Sequence, residues 1–122
     1  CLLGKGEGSA RNYCLWVEAG TRIVMFQQHN DVWFQVKSKR GVTDGAWTHV
    51  AATVEGSKAT LYINGQKDGE LIRAKPASTP ASPLGIGWAC YHVAFRGVLD
   101  DVRVYRRALS ADEVQGLVEQ AR

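Results

Sequence analysis

Three histidines, three cysteines, four tryptophans and a scatter of carboxylates are the side chains here that could do chemistry. Hydrolysis of a glycosidic bond needs two carboxylates flanking it, one acid and one base or nucleophile. On a strand such a pair stands at i and i+2 or i+4, on one face. Asp100 and Asp101 are adjacent, so a regular strand points them to opposite faces. His29, His49 and His92 each lack a second histidine or cysteine two to four residues on, which leaves zinc chemistry without a motif. No G-x-S-x-G nucleophile turn is present. The residues therefore predict binding without catalysis, and no enzyme.

Sugar recognition asks for an exposed aromatic plane with amides or carboxylates around it. Trp33, Trp88, Tyr91 and His92 are the candidates. Trp33 alternates out of phase with Val32 and Phe34, which puts it on the opposite face of its strand. Trp88-Ala89-Cys90-Tyr91-His92 interrupts the strand pattern and predicts a loop, where binding residues gather. The competing reading of all four is a second layer of core. Two basic clusters, Lys37-Lys39-Arg40 and Arg103-Arg106-Arg107, are either solvated faces or ligand contacts. The first leads into a loop, so Lys39 and Arg40 could present a positive patch to a sulfated or uronic-acid glycan.

These residues must be held by a chain of 122 residues, room for one domain spanning 1–122. It is 45% hydrophobic and 22% charged, ordinary for a globular protein. A net charge of +3 without a basic stripe gives no support to nucleic-acid binding. No apolar run approaches the ~18 residues of a membrane span. Cys1, Cys14 and Cys90 form an odd set without metal-ligand spacing. Cys14 and Cys90 either form a bridge between neighbouring strands or stay as buried thiols.

The elements read as mostly β. Leu2 to Gly6 is the end of a strand running into a Gly-rich loop over Glu7 to Asn12, and Tyr13 to Glu18 alternates. Arg22 to Gln28 and Val32 to Lys37 form a hairpin through His29-Asn30-Asp31. Trp47 to Val54 and Ala59 to Asn64 form a second, turning at Glu55-Gly56-Ser57-Lys58. Asn64-Gly65 supplies a type I′ turn into a return strand from Gln66 to Ile72. Arg73 to Pro83 holds all three prolines and is a surface loop, followed by strands at Leu84 to Trp88 and Ala94 to Tyr105. Ser110 with Glu113 three residues on is a capping box, opening a short helix near Ser110 to Gln120 with Val114, Leu117, Val118 and Ala121 on one face.

Three stretches, in order, carry a family likeness. Trp47-Thr48-His49-Val50-Ala51 with Leu61-Tyr62-Ile63-Asn64-Gly65 is similar to W-x-H-V-A followed by L-Y-x-N-G. Pro83-Leu84-Gly85-Ile86-Gly87 is similar to P-L-x-I-G. Phe95-Arg96-Gly97-Val98-Leu99-Asp100-Asp101-Val102-Arg103-Val104-Tyr105, then Ala108-Leu109-Ser110, resembles the usual ending of laminin-G-like domains of the concanavalin-A-like superfamily. The resemblance implies an all-β, two-sheet antiparallel jelly-roll sandwich with one short C-terminal helix. It implies carbohydrate binding or adhesion within a larger extracellular or cell-surface protein, or else a protein-interaction module without a sugar site. Trp47 should then begin a central strand and bury its ring, with His49 structural beside it. Several relatives hold Ca²⁺ at the sandwich rim, which makes Asn30, Asp31 and Asp44 candidate ligands, although these are ordinary turn residues too. Such domains also place strands ahead of the Leu3-Gly4-Lys5-Gly6 segment, which predicts an uncovered sheet edge here and homo-oligomer formation through it.

Overall fold

The computed structural model describes residues 1–73, 77–88 and 94–121. Its strands are β1 (Leu3–Lys5), β2 (Tyr13–Val17), β3 (Ile23–Asn30), β4 (Val32–Gly41), β5 (Val50–Glu55), β6 (Lys58–Ile63), β7 (Gln66–Ile72) and β8 (Leu84–Ile86). One α-helix, α1 (Ala111–Gln120), follows them. The strands make two antiparallel sheets, a five-stranded one in the order β4-β3-β2-β1-β8 and a three-stranded one in the order β5-β6-β7. This is the sandwich with a C-terminal helix that the sequence predicts.

Local chemistry explains the hairpins. Asn64 and Gly65 sit at φ 50° and 80°, the pair of left-handed residues that a type I′ turn requires. β3 and β4 turn on Asp31 alone, at φ 62°, a conformation Asp tolerates better than most side chains. Ser110 caps α1 as its spacing predicts: its hydroxyl accepts from the Glu113 amide while the Glu113 carboxylate accepts from the Ser110 amide. The helix docks by Val114 and Val118, both buried, beside the Asn64–Gly65 turn. Ala121 is its C-cap and is exposed, so the apolar face ends earlier than the helical period suggests.

The core lies between the inner faces of the two sheets. Val24 and Phe26 of β3 with Phe34 and Val36 of β4 meet Ala59, Leu61 and Ile63 of β6. Tyr13, Leu15 and Val17 of β2 and Val50, Ala52 and Val54 of β5 flank this centre, half-buried. A five-stranded sheet facing a three-stranded one cannot be covered across its whole width. The register makes the overhang explicit, because Phe26 lies opposite Leu15, Leu15 opposite Leu3, and Leu3 opposite Ile86. Along that row burial falls from Phe26 at 6% exposed to Ile86 at 47%.

β4 and β7, the edges on one side, are tied together by a bulge. Leu61 pairs with Gly69 but Tyr62 with Lys67, so Asp68 is the extra residue of β7. The bulge aims its carboxylate at β4, where Oδ2 accepts from the amides of Lys39 (2.7 Å) and Arg40 (2.9 Å) and Oδ1 accepts from Arg40 Nε (2.9 Å). Beside it the backbones touch: a Cβ on Gly69 would stand 2.6 Å from the Lys37 carbonyl oxygen.

Two expectations are corrected. Residues 94–105 do not form a strand, and Val98, Val102, Val104 and Tyr105 are exposed. Their alternation suits a strand, but a strand exists only in a ladder of hydrogen bonds; the Phe95 amide donates to Gly87 O (2.7 Å), and among the described residues no ladder follows from it. Asp101, at φ 52°, also breaks the extended run. Trp47 neither begins a central strand nor buries its ring; it is 72% exposed, ahead of β5. The reason is positional: β5 is an edge of its sheet, and among the described residues no further strand continues past it to enclose the ring.

Candidate functional site

Of the sugar-binding candidates, Trp33 and Trp88 do not converge. Trp33 is on β4 and Trp88 just beyond β8, at opposite edges of the five-stranded sheet. Four strand spacings separate those edges, about 19 Å. Both rings are half-exposed, Trp33 at 51% and Trp88 at 50%. Tyr91 and His92 lie outside the described residues, as does Cys90 and with it the Cys14–Cys90 pairing. Cys1 and Cys14 are buried, with their sulfurs 3.6 Å apart.

Around Trp33 a site is built that single residues did not reveal. Pairing about the Asp31 turn sets His29 opposite Trp33, Gln27 opposite Gln35 and Met25 opposite Lys37, all on the outer face. His29 meets the indole edge-on, with ring centroids 4.6 Å apart. Its Nδ1 is 2.9 Å from the Ser9 carbonyl oxygen, which only accepts, so Nδ1 carries the proton. Arg11, fully buried, sets its guanidinium carbon 5.1 Å from the Trp33 centroid, a cation–π contact. Arg11 Nη1 donates to Gln27 Oε1 (2.7 Å), and Gln27 Nε2 donates to Gln35 Oε1. Gln35 Nε2 then donates to Met25 Sδ at 3.5 Å, a weak acceptor that a ligand hydroxyl would outcompete. The Arg11 loop is anchored in turn, because its carbonyl accepts from the His29 amide and the Asn12 side chain donates to Ser78 O.

The arrangement is a fixed aromatic plane with an amide ladder next to it. Sequence reasoning singled out Trp33 but missed Arg11, Gln27, His29 and Gln35. The signal for three of them was present: partners across a hairpin are equidistant from its turn, and 27/35 and 29/33 are symmetric about Asp31. Nothing in the Gly-rich loop distinguishes Arg11 as buried.

Lys39 and Arg40, two residues of one basic cluster, have different surroundings. Arg40 is committed to Asp68, whose side chain is 7% exposed. Burial pushes the Asp68 carboxyl up, but the Arg40 amide, the Arg40 guanidinium and the Lys39 amide outweigh it, and the net shift is downward. The Lys39 side chain is exposed and lines a groove of ≈510 Å³ between β4 and β7, with Gln35, Lys37, Lys67 and Glu70. An adjoining hollow of ≈230 Å³ reaches Trp33 and Arg73.

The calcium candidates are apart. Asn30 and Asp31 sit at one end of β3, and Asp44 at the other, where both its oxygens accept from Arg22 at 3.0 Å. Among the described residues no three His, Cys, Asp or Glu side chains gather as a metal site. His49 acts through its backbone, its amide donating to Asn64 Oδ1 (2.9 Å) and its carbonyl accepting from the Asn64 amide (2.8 Å). Burial holds its imidazole pKa down; Asp101 opposes this and Arg103 reinforces it. No described helix is long and apolar enough to cross a membrane.

Comparison with known proteins agrees with this architecture. No curated protein matches the chain. Among solved structures, an S-layer domain-containing protein from Clostridium thermocellum ATCC 27405 (residues 221–444) is similar, at 27% identity and a TM-score of 0.55. The match covers 88% of this chain and 63% of that one, so the chain spans less than two thirds of its structural neighbour. A laminin G family model, of the concanavalin A-like lectin/glucanases superfamily, matches residues 2–115. By that match and by its unequal antiparallel sandwich, the chain belongs to the laminin G family of the concanavalin A-like superfamily.

Proposed function

We propose that this chain is a non-catalytic carbohydrate-recognition module whose stacking platform is Trp33. One observation carries the reading: the indole is half-exposed yet fixed, with Arg11 against it, His29 at its edge and the Gln27–Gln35 amides alongside. A plane already immobilised loses little side-chain freedom when a sugar stacks on it, and that favours affinity. The fold supports carbohydrate binding or adhesion in general, and domains of this type are generally non-catalytic. Likeness to an S-layer domain-containing protein supports a cell-surface setting, with glycan or extracellular protein as the partner.

The test is a glycan array, with and without Ca²⁺, followed by calorimetric titration of each hit against the wild type and Trp33→Ala. The expected result is loss of binding by at least about tenfold in a variant with unchanged circular dichroism. Calcium-dependent hits would bring back a cation site at one end of β3, either at Asn30 and Asp31 or at Asp44. If no glycan binds under either condition, the sugar reading is wrong. A protein-interaction module would then stand in its place, supported by Trp47, Val98 and Val104, each more than half exposed.

A further inference from the structure

The charges of the groove beside β4 do not cancel. Lys67 is paired with Glu70 at 2.5 Å and Arg40 with Asp68 at 2.9 Å, which neutralises both carboxylates that line it. Lys37 and Lys39 remain, and among the described residues neither ammonium has an ion-pair partner. Two like charges on one wall of a groove, with every nearby anion already committed, create a positive potential that only an outside anion can relieve.

Position ties these lysines to the aromatic site. Trp33, Gln35 and Lys37 alternate along the outer face of β4, opposite His29, Gln27 and Met25, and Lys39 follows in the irregular stretch where Ser38 fills the gap. Trp33 and Lys37 are therefore about 13 Å apart along the strand. A ligand stacked on the indole and lying along β4 passes the Gln35 amide and reaches the two ammonium groups.

We infer that the ligand is an acidic glycan lying along β4, with a sugar ring on Trp33 and a carboxylate or sulfate group between Lys37 and Lys39. The inference rests on the carbohydrate reading above. It favours a glycan over an acidic peptide because the β4 edge is closed to strand addition at this point. The amides of Lys39 and Arg40 are held by Asp68, and β7 crosses against the Lys37 carbonyl at Gly69. Recognition must then run through side chains, and lysine ammonium groups act as point charges that suit a carboxylate or a sulfate.

The experiment titrates the whole chain with three oligosaccharides of matched length, an oligogalacturonate, a sulfated dextran fragment and neutral dextran, with poly-glutamate as a fourth probe. Each is measured at low and high salt for the wild type, Lys37→Gln/Lys39→Gln, Trp33→Ala, and Arg106→Gln as a charge control. At least one acidic glycan is expected to bind about tenfold more tightly than the neutral one, with the advantage lost at high salt. The double lysine variant should fall to the neutral level, Trp33→Ala should weaken every sugar, and Arg106→Gln should leave binding unchanged. The relative strength of the first two probes tells carboxylate from sulfate. Equal, salt-insensitive binding of neutral and acidic sugars would overturn the inference and leave the carbohydrate reading intact. Binding of poly-glutamate as tight as that of the glycans would overturn it too, as would silence toward both acidic sugars, while the carbohydrate reading stands or falls on the array.

Discussion

Asp68 shows how a single residue can hold two sheets together. A carboxylate this buried survives only with its oxygens satisfied, and two amides and a guanidinium of β4 satisfy them. Asp68→Asn removes the charge and one acceptor, with an expected loss of about 1–3 kcal/mol. The denaturation midpoint in urea should fall at constant m-value. The pH dependence has a definite sign. The folded carboxyl titrates below its unfolded value, so its stabilisation is full above the ordinary carboxylate range near pH 4 and is lost as pH falls through the depressed value. Wild-type stability should drop more steeply than that of Asp68→Asn between pH 5 and about pH 3. Parallel curves would show that Asp68 is not the group responsible. None of this was legible in the sequence, where Asp68 reads as an ordinary residue of a return strand. A bulge leaves no mark on a two-residue period.

The elements divide by how local their determinants are. The α1 cap is written within four residues, and it forms where Ser110-x-x-Glu113 places it. Ser110→Ala should destabilise the protein by about 1 kcal/mol, read from thermal unfolding. The Arg107 guanidinium, then the Ser110 amide, hold the Glu113 carboxyl down to about 2. Its stabilising contacts should therefore persist as pH falls through the ordinary glutamate range and fail only near pH 2. Carboxyl chemical shifts would follow this, and Arg107→Gln should return the midpoint toward ordinary values. The hairpins were equally legible, since Asn64-Gly65 and the alternation around Asp31 are local signals. The stretch from Ala94 to Tyr105 was not, because its alternation names a strand but cannot supply the partner that makes one. Trp47 was misplaced for the same reason: a ring's burial depends on what continues the sheet beyond it.

At the scale of the whole molecule the sandwich is lopsided. β3, β4 and β6 share the dense core while β1 and β8 extend past the smaller sheet. Substitutions along one cross-strand row should therefore differ sharply in effect. Phe26→Ala is expected to cost about 3–5 kcal/mol and Ile86→Lys to stay within about 0.5 kcal/mol. Comparable losses at both positions in equilibrium unfolding would mean that the outer end of the row is covered after all.

The join between β4 and β7 gives the protein the mechanics of a bound book. Gly69 against Lys37, Asp68 across to Lys39 and Arg40, and Arg73 reaching Gln28 (2.8 Å) stitch the two covers along one spine. The opposite margin, at β8, has no such stitching among the described residues. Partial opening should begin at that margin, where fewest buried contacts must break, and amide hydrogens there should exchange first while those flanking the spine exchange last. The rim proposed for the ligand runs along the spine. A guest resting there would meet a surface that breathing of the pages does not disturb, so the site keeps its shape while the far margin fluctuates.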